Sequence, residues 1–305
     1  MRTDQTERPG GAKKRDSRPA KPKSTTDKSA RSAKPTDAAG KQGGERSGKP
    51  RQEQRSSRDS GKDQVYGRNA VLAVLRGSRH VETIYLADTV GPDPRIAELK
   101  DLAQHQRVTV QTVNRAQIEN YIGKVNHQGV MALADRFAYT PLALVIEQPG
   151  PMLVLDHIAD PQNLGTLLRT AAAFDIAGIV IPTDRAAEIT PAVVNASAGA
   201  VESVPVARVV NLNRALKEIR DAGRWIICLE GSADAVSIFN ADLPTPACLV
   251  LGNEGKGVSA QIRANADAIV RIPIGRQVES LNVATAGSMV LYELHRSAYQ
   301  HRNAD

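Results

Sequence analysis

Between residues 152 and 300, short and continuously apolar runs alternate with segments whose apolar residues recur at helical spacing. The run Trp225–Leu229 has no polar residue, and the helical pattern of 212–222 before it ends at Gly223. Strands without polar alternation are typical of parallel sheets that helices cover on both faces. The alternation therefore predicts an α/β fold with a parallel sheet over residues 152–300.

A smaller α/β pattern precedes this region. Residues 63–140 combine helical spacing, as in 69–75, with short strand patterns, as in 83–86. This unit is too small for an enzyme core and shows no obvious catalytic pattern. The proline-flanked segment 141–151 contains a glycine and predicts a linker between the two units.

The first 62 residues have a different composition. They contain 18 Lys and Arg against 8 Asp and Glu, and no Val, Leu, Ile, Phe, Tyr or Trp. Such a segment cannot bury apolar surface, so we expect residues 1–62 to form a disordered basic tail. The rest of the chain carries 22 basic and 25 acidic residues, so the net charge of +7 originates in the tail. Contact with RNA phosphates and a purely solubilising role both agree with this composition.

Composition also excludes several classes of protein. The tail lacks the apolar core of a secretory signal, and its acidic residues argue against a transit peptide. No segment approaches the roughly 20 apolar residues of a membrane helix. Cys228 and Cys248 each lie in an apolar run, which predicts buried thiols rather than a disulfide or a metal pair. We therefore expect a cytoplasmic protein without a membrane or metal partner.

Ligands of open parallel sheets bind beyond the carboxyl ends of the strands, so the segments after the predicted strands are the candidate sites. In the first, 156–169, the Arg169 guanidinium could grip a phosphate through paired hydrogen bonds. The alternative makes Asp160 or Asn163 a helix cap and Arg169 a surface charge.

Two further segments follow predicted strands. In 251–257, three glycines would let the backbone approach a ligand closely, although an ordinary flexible turn is the alternative. Glu254 stands out there, because glycine loops that bind phosphate do not favour a carboxylate. In 272–286, Ser280 or Asn282 could cap the last helix.

Together the three segments resemble the signature of the SpoU (TrmH) family of SPOUT methyltransferases, which reads N-x-G-x-x-x-R, then N-E-G-x-G, then I-P with S-L-N-V. The matching residues here are Asn163, Gly165 and Arg169, then Asn253 to Gly257, then Ile272 and Pro273 with Ser280 to Val283. The resemblance covers residues 64–300. Tyr66–Val71 and His127–Val130 resemble the ends of the family's small RNA-binding domain. This two-domain form is closest to the guanosine-2′-O-methyltransferases of 23S rRNA.

The resemblance implies a fold and an assembly. The expected fold is a Rossmann-like parallel sheet at 152–300 with a C-terminal trefoil knot, preceded by a small α/β RNA-binding domain. Periodicity could not predict the knot, because true knots are very rare. The family works as a homodimer, with the catalytic arginine near the partner's cofactor site. The last helix, 282–299, is a candidate dimer face, although its apolar residues could also serve the monomer core.

The resemblance also implies a reaction. S-adenosylmethionine would donate a methyl group to a ribose 2′-hydroxyl, most closely that of a guanosine in 23S rRNA. The alternatives are a tRNA ribose methyltransferase and an inactive RNA-binding factor of ribosome assembly. The implied catalytic residues are Asn163, Arg169, Glu254, Ser280 and Asn282. The implied cofactor-binding residues are Leu229, Gly252, Asn253, Gly255, Ile272, Ile274 and Leu281.

Two points qualify this interpretation. Arg169 is an awkward general base, because a guanidinium normally stays protonated; it could instead orient a phosphate. Asp175 and Ala284 stand where the family often has Gly and Ser, and we expect these changes to alter packing rather than abolish activity.

Overall fold

The computed structural model of the protein describes residues 61–302, with side chains described as far as residue 299. The predicted tail therefore lies outside the described residues, except for its last two positions. Lys62 is the first residue of strand β1 (Lys62–Tyr66) and pairs with Asp135 in the neighbouring strand. Its ammonium donates to the Asp135 carboxylate over 2.6 Å, so Lys62 belongs to the first sheet rather than to the tail.

The N-terminal unit is a four-stranded sheet with three helices. Its elements after β1 are α1 (Arg68–Arg76), β2 (Val81–Ala87), α2 (Pro94–His105), β3 (Thr109–Val113), α3 (Arg115–Ile122) and β4 (Val130–Asp135). The strand order is β1-β4-β2-β3, with β2 and β3 parallel and the other pairs antiparallel. Leu75 of α1 and Leu99 of α2 pack into the core that contains Ile84 of β2, as their helical spacing predicts.

The C-terminal unit is built on a seven-stranded sheet. Its strands are β5 (Met152–Asp156), β6 (Gly178–Pro182), β7 (Val206–Val209), β8 (Trp225–Leu229), β9 (Val236–Ser237), β10 (Ala247–Gly252) and β11 (Ala268–Arg271). The order is β7-β6-β5-β10-β8-β11-β9, and all neighbouring pairs are parallel. Every residue of β5 and β10 is buried. The predicted parallel α/β fold is confirmed, whereas the trefoil knot stays a prediction.

Helices cover both faces of this sheet. They are α4 (Leu142–Ile146), α5 (Pro161–Ala173), α6 (Pro191–Ala196), α7 (Leu212–Asp221), α8 (Ala260–Ala264) and α9 (Val283–Arg302). Because side chains alternate along a strand, Leu153 of β5 joins the core of α5 and α9, and Val154 joins the core of α7 and α8.

The segment 141–151 is more than a linker. It contains α4, and Val145 of this helix is completely buried in the core on the α7 side. The Arg224 guanidinium donates to the carbonyl oxygens of Ile146 and Gln148, at 3.0 and 2.6 Å. The segment is thus a packed part of the C-terminal unit, which its flanking prolines did not indicate.

A buried ion-pair network joins β1 and the α1–β2 connection to the 3-10 turn Ala200–Ser203, which follows α6. Arg79 donates to Asp63 over 2.5 Å and to Glu202 over 2.8 Å. The Asn195 amide adds a 3.0 Å hydrogen bond to the carbonyl oxygen of Tyr66. These contacts hold the N-terminal sheet against the helical layer of α5 and α6.

Cys228 in β8 and Cys248 in β10 are free, buried thiols, as predicted. Burial raises the pKa of each to about 12. Within residues 61–302, no helix combines the length and apolar character needed to cross a membrane. The same residues contain no group of three or more His, Cys, Asp or Glu side chains placed to hold a metal ion.

Candidate active site

The three predicted segments meet at the carboxyl end of the second sheet. Asn163, in the first turn of α5, donates its amide hydrogen to Glu254 Oε1 over 2.6 Å. Its amide oxygen accepts a 3.0 Å hydrogen bond from Asn282 Nδ2. One chain of hydrogen bonds therefore joins residues from the three distant motifs.

Helix capping frees these amides for their contacts. Asp160 is the N-cap of α5, because its carboxylate accepts from the backbone N–H of Gln162 over 3.1 Å. Asn163 is therefore not a cap, and its buried side chain can bind Glu254 and Asn282. At α9, the Asn282 side-chain oxygen accepts from the N–H groups of Ala284 and Thr285, so Asn282 rather than Ser280 is the cap.

The glycine loop closes on itself. A Cβ at Gly252 would lie 2.0 Å from the carbonyl carbon of Gly257, so no other residue fits there. The N–H of Gly257 donates to the Asn253 carbonyl over 2.8 Å, and Asn253 Oδ1 accepts from Gly255 over 3.0 Å. Gly252 is thus required because the backbone of Gly257 lies against it. The sequence had instead suggested that glycines let the loop approach a ligand closely.

A cleft of about 240 Å³ opens between this loop and the start of α9. Its lining includes every implied cofactor residue except Gly255, and among the implied catalytic residues it includes Glu254 and Ser280. The apolar part consists of Leu229, Leu251, Ile272, Ile274, Leu281, Val283 and Ala286.

The cleft lining also contains two carboxylates that the sequence motifs did not predict, those of Glu230 and Glu279. Glu230 directly follows β8, so the rule that ligands lie beyond strand ends could have indicated it. Its carboxylate is held by the Arg263 guanidinium. No sequence signal singled out Glu279, which lies in the loop between β11 and α9.

Arg169 is the one implied catalytic residue that belongs neither to the cleft lining nor to the hydrogen-bond chain of Asn282, Asn163 and Glu254. Six residues along a helix rotate a side chain by about 240°, so Asn163 and Arg169 occupy different faces of α5. Asn163 is buried and Arg169 is exposed. No hydrogen bond or ion pair holds Arg169 within the described part of the chain. Within one chain, the two side chains therefore do not act from the same face of α5.

The structure defines the class of protein as a parallel α/β domain with a cleft between a self-closing glycine loop and the last helix, which agrees with the SPOUT resemblance of the sequence motifs. The family model described as SpoU rRNA Methylase matches residues 150–292, and a model for RNA 2′-O ribose methyltransferase substrate binding matches residues 64–140. The chain belongs to the SpoU (TrmH) family and is an RNA methyltransferase.

Relatives and solved structures agree with this assignment. YacO of Bacillus subtilis, named for the TrmH family of tRNA/rRNA methyltransferases, is 36% identical over 77% of this chain and 95% of its own length. The 23S rRNA (guanosine-2′-O-)-methyltransferase RlmB of Pseudomonas syringae is 36% identical over the same shares. The AdoMet-bound rRNA methyltransferase of Sinorhizobium meliloti superposes with a TM-score of 0.66 at 26% identity, over 78% of this chain and 88% of that one.

Proposed function

We propose that this protein methylates the ribose 2′-hydroxyl of a guanosine in 23S rRNA. The methyl donor is S-adenosylmethionine. The observation that carries the proposal is the hydrogen-bond chain from Asn282 through Asn163 to Glu254, which assembles the three motifs around one cleft. The Pseudomonas relative named for 23S rRNA supports this substrate. Action on ribosomal RNA would place the protein in the cytoplasm.

The cleft residues fit this cofactor. The side chains of Leu229, Ile272 and Leu281 offer apolar surface to an adenine ring. The Glu279 carboxylate would offset the positive charge of a sulfonium, whereas Glu230 already has Arg263 as its cation. When bound there, S-adenosylmethionine supplies an electrophilic methyl group.

The polar residues of the cleft would orient the ribose. The Glu254 carboxylate, which Asn163 fixes, can accept hydrogen bonds from sugar hydroxyls. Ser280 lines the cleft, and its hydroxyl can accept or donate them. Alignment of reacting groups contributes effective molarities of about 10⁵–10⁸ M, against about 10²–10⁴-fold for a general base. Positioning is therefore the main task of this chain's own residues.

We propose a homodimer, in which Arg169 of one copy acts at the cleft of the other copy. The reason is that Arg169 does not line the cleft of its own chain. Met289 and Tyr292 of α9 stay 48% and 54% exposed, whereas Val290 and Leu294 are buried in the core. The apolar residues of α9 thus divide between the monomer core and an outer face. Thr170, the residue after Arg169, contacts Ser288 of α9 over 2.8 Å, so this part of α5 packs beside α9. A second copy on the face would bring an Arg169 towards the cleft of its partner.

The test uses RNA from cells that lack the gene. The full chain, with methyl-labelled S-adenosylmethionine, should label 23S rRNA at a 2′-oxygen and leave 16S rRNA and tRNA unlabelled. Arg169→Ala should abolish labelling, whereas Lys217→Gln on the exposed side of α7 should not change it. Labelling of tRNA alone, or of a base, would refute the proposal. An absence of cofactor binding in calorimetry would favour the ribosome-assembly factor instead.

A further inference from the structure

A second cavity adjoins the cleft at the same end of the sheet. Its volume is about 550 Å³, and it shares Asn253 and Gly257 with the cleft. The rest of its lining comes from the end of β5 and the residues after it, the loop after β6, Lys256 of the glycine loop and Ser259, and it includes His157 and Arg185. This volume lies within the roughly 300–1,000 Å³ of small-molecule sites.

The His157 ring is held in a fixed orientation in this cavity. Its Nδ1 lies 2.5 Å from Oδ1 of Asp156, whose carboxylate is buried. The other carboxylate oxygen accepts from the N–H of Ser259 over 2.7 Å. With Nδ1 occupied, the Nε2 atom faces away from Asp156, and the side chain is 41% exposed. This geometry presents one ring nitrogen to a ligand.

The backbone at two lining residues is unfavourable for side chains. His157 has a φ of 63° and Arg185 a φ of 54°, both in the left-handed region that glycine adopts freely. The protein nevertheless carries an imidazole and a guanidinium at these positions. Strained residues of this kind concentrate at functional sites. A ligand that contacts the two side chains would account for them.

The charges of the cavity point to an anion. Arg185 and Lys256 have no hydrogen bond or ion pair within residues 61–299, so both are free to bind a ligand. Asp156 is the one carboxylate of the lining, and both of its oxygens are already occupied. Asp184 is not part of this lining; it lines a neighbouring hollow that shares His157 and Arg185 with the cavity. Guanidinium, ammonium and imidazole groups around one space are the donors that bind phosphate.

We propose that this cavity binds a backbone phosphate of the RNA, at a nucleotide next to the methylated one. The inference rests on the proposed function. The position follows from the shared wall, because Asn253 lines the cleft and also donates its side-chain amide to the His157 carbonyl over 3.0 Å. A strand whose ribose enters the cleft would therefore carry its next phosphate past His157 and Arg185.

Two variants test the inference. Arg185→Gln removes one phosphate-binding cation. His157→Gly removes the imidazole and also relieves the left-handed backbone, so it should fold even if the first variant does not. Lys217→Gln on α7 is the matched control, because it removes one exposed positive charge that is not part of the cavity lining.

The readouts are RNA binding at several salt concentrations, steady-state methylation, and calorimetry with S-adenosylmethionine. For Arg185→Gln we expect a KM for RNA about tenfold higher, the value for loss of one charge-assisted hydrogen bond, with kcat unchanged. The slope of log K against log salt should fall by about 0.7–0.9. His157→Gly should also raise KM. Cofactor affinity should not change in either variant, and Lys217→Gln should match the wild type.

The outcomes separate this inference from the proposed function. If the wild type labels no RNA, both fail. If it labels RNA and the two variants keep its KM and salt slope, the phosphate subsite alone is refuted. Weaker cofactor binding in both variants, with an unchanged salt slope, would assign the cavity to the cofactor and would also overturn the inference. Competition by inorganic phosphate with no effect of the variants on RNA binding would show an ion site unrelated to RNA.

Discussion

Replacing Arg79 with Met should destabilise the protein far more than replacing its partner Glu202 with Gln. The side chain of Arg79 is 6% exposed, and those of Asp63 and Glu202 are 15% and 5% exposed. Arg79→Met leaves two nearly buried carboxylates without their cation. Removal of one partner from a buried ion pair costs about 3–5 kcal/mol, so we expect a loss of about 4 kcal/mol in the free energy of unfolding.

Glu202→Gln perturbs the same network differently. Burial raises the pKa of Glu202 despite the neighbouring Arg79, so the ionised carboxylate is disfavoured at this position. A glutamine amide keeps the shape and can still accept from Arg79, which retains Asp63 and the carbonyl oxygen of Asp135. We expect a loss of about 1 kcal/mol, the net value of one hydrogen bond.

The assay is urea denaturation of the wild type, both single variants and the double variant at neutral pH. The two side chains are in contact, so their interaction energy should be about 0.5–3 kcal/mol.

The pH dependence of the unfolding free energy adds a second readout. A raised pKa in the folded state contributes stability that is complete below the unfolded value, near 4.5, and is lost as the pH rises through the folded value. Acidification should therefore stabilise the wild type relative to Glu202→Gln. Equal losses for Arg79→Met and Glu202→Gln, or a difference between wild type and Glu202→Gln that is independent of pH, would refute the reasoning.

Three further predictions follow from other parts of the structure. Asn163→Ala removes both hydrogen bonds that join the motifs. The rate of single-turnover labelling should fall by about 10²-fold or more, because catalysis by alignment is sensitive to small displacements. A fall in rate of less than threefold would contradict the proposed site. Asp175→Gly should raise the unfolding free energy by about 1 kcal/mol, because Asp175 has a φ of 51° at the end of α5; thermal denaturation measures this, and a lower midpoint would contradict it. Cys228 and Cys248 should react with a thiol reagent in urea but not in the native protein, because both are buried and their pKa values are about 12; rapid native labelling would show that the sheet opens.

Most of the second sheet could be predicted from the sequence. A parallel strand is buried on both faces, so nearly all of its residues are apolar, and such a run can be recognised in the sequence. The run Trp225–Leu229 is an example, and β8 has these bounds. Prediction was weaker where burial is only partial. Strand β7 begins only at Val206, since the preceding Pro205 has no N–H to donate to a neighbouring strand.

The elements of the site could be predicted from motifs, but their relative positions could not. Glu254 and Asn163 are 91 residues apart, and no local pattern encodes the contact between them. The position of Arg169 depends on the rotation of α5 about its axis, which is set by the packing of Leu164, Leu167 and Leu168 in one core. Helix α4 was missed because five residues are too few to show a helical period.

Asn282 caps the last helix and also donates a hydrogen bond to Asn163. The cleft can therefore form only after this late part of the chain has been synthesised. During translation the central strands of the sheet leave the ribosome before α9 does. A nascent chain that ends before Asn282 could pair β5 with β10, yet Asn163 would lack its second partner and the wall formed by Val283 and Ala286 would be missing. The cleft is therefore completed only after the start of α9 has been synthesised, and we expect unfinished chains not to bind the cofactor.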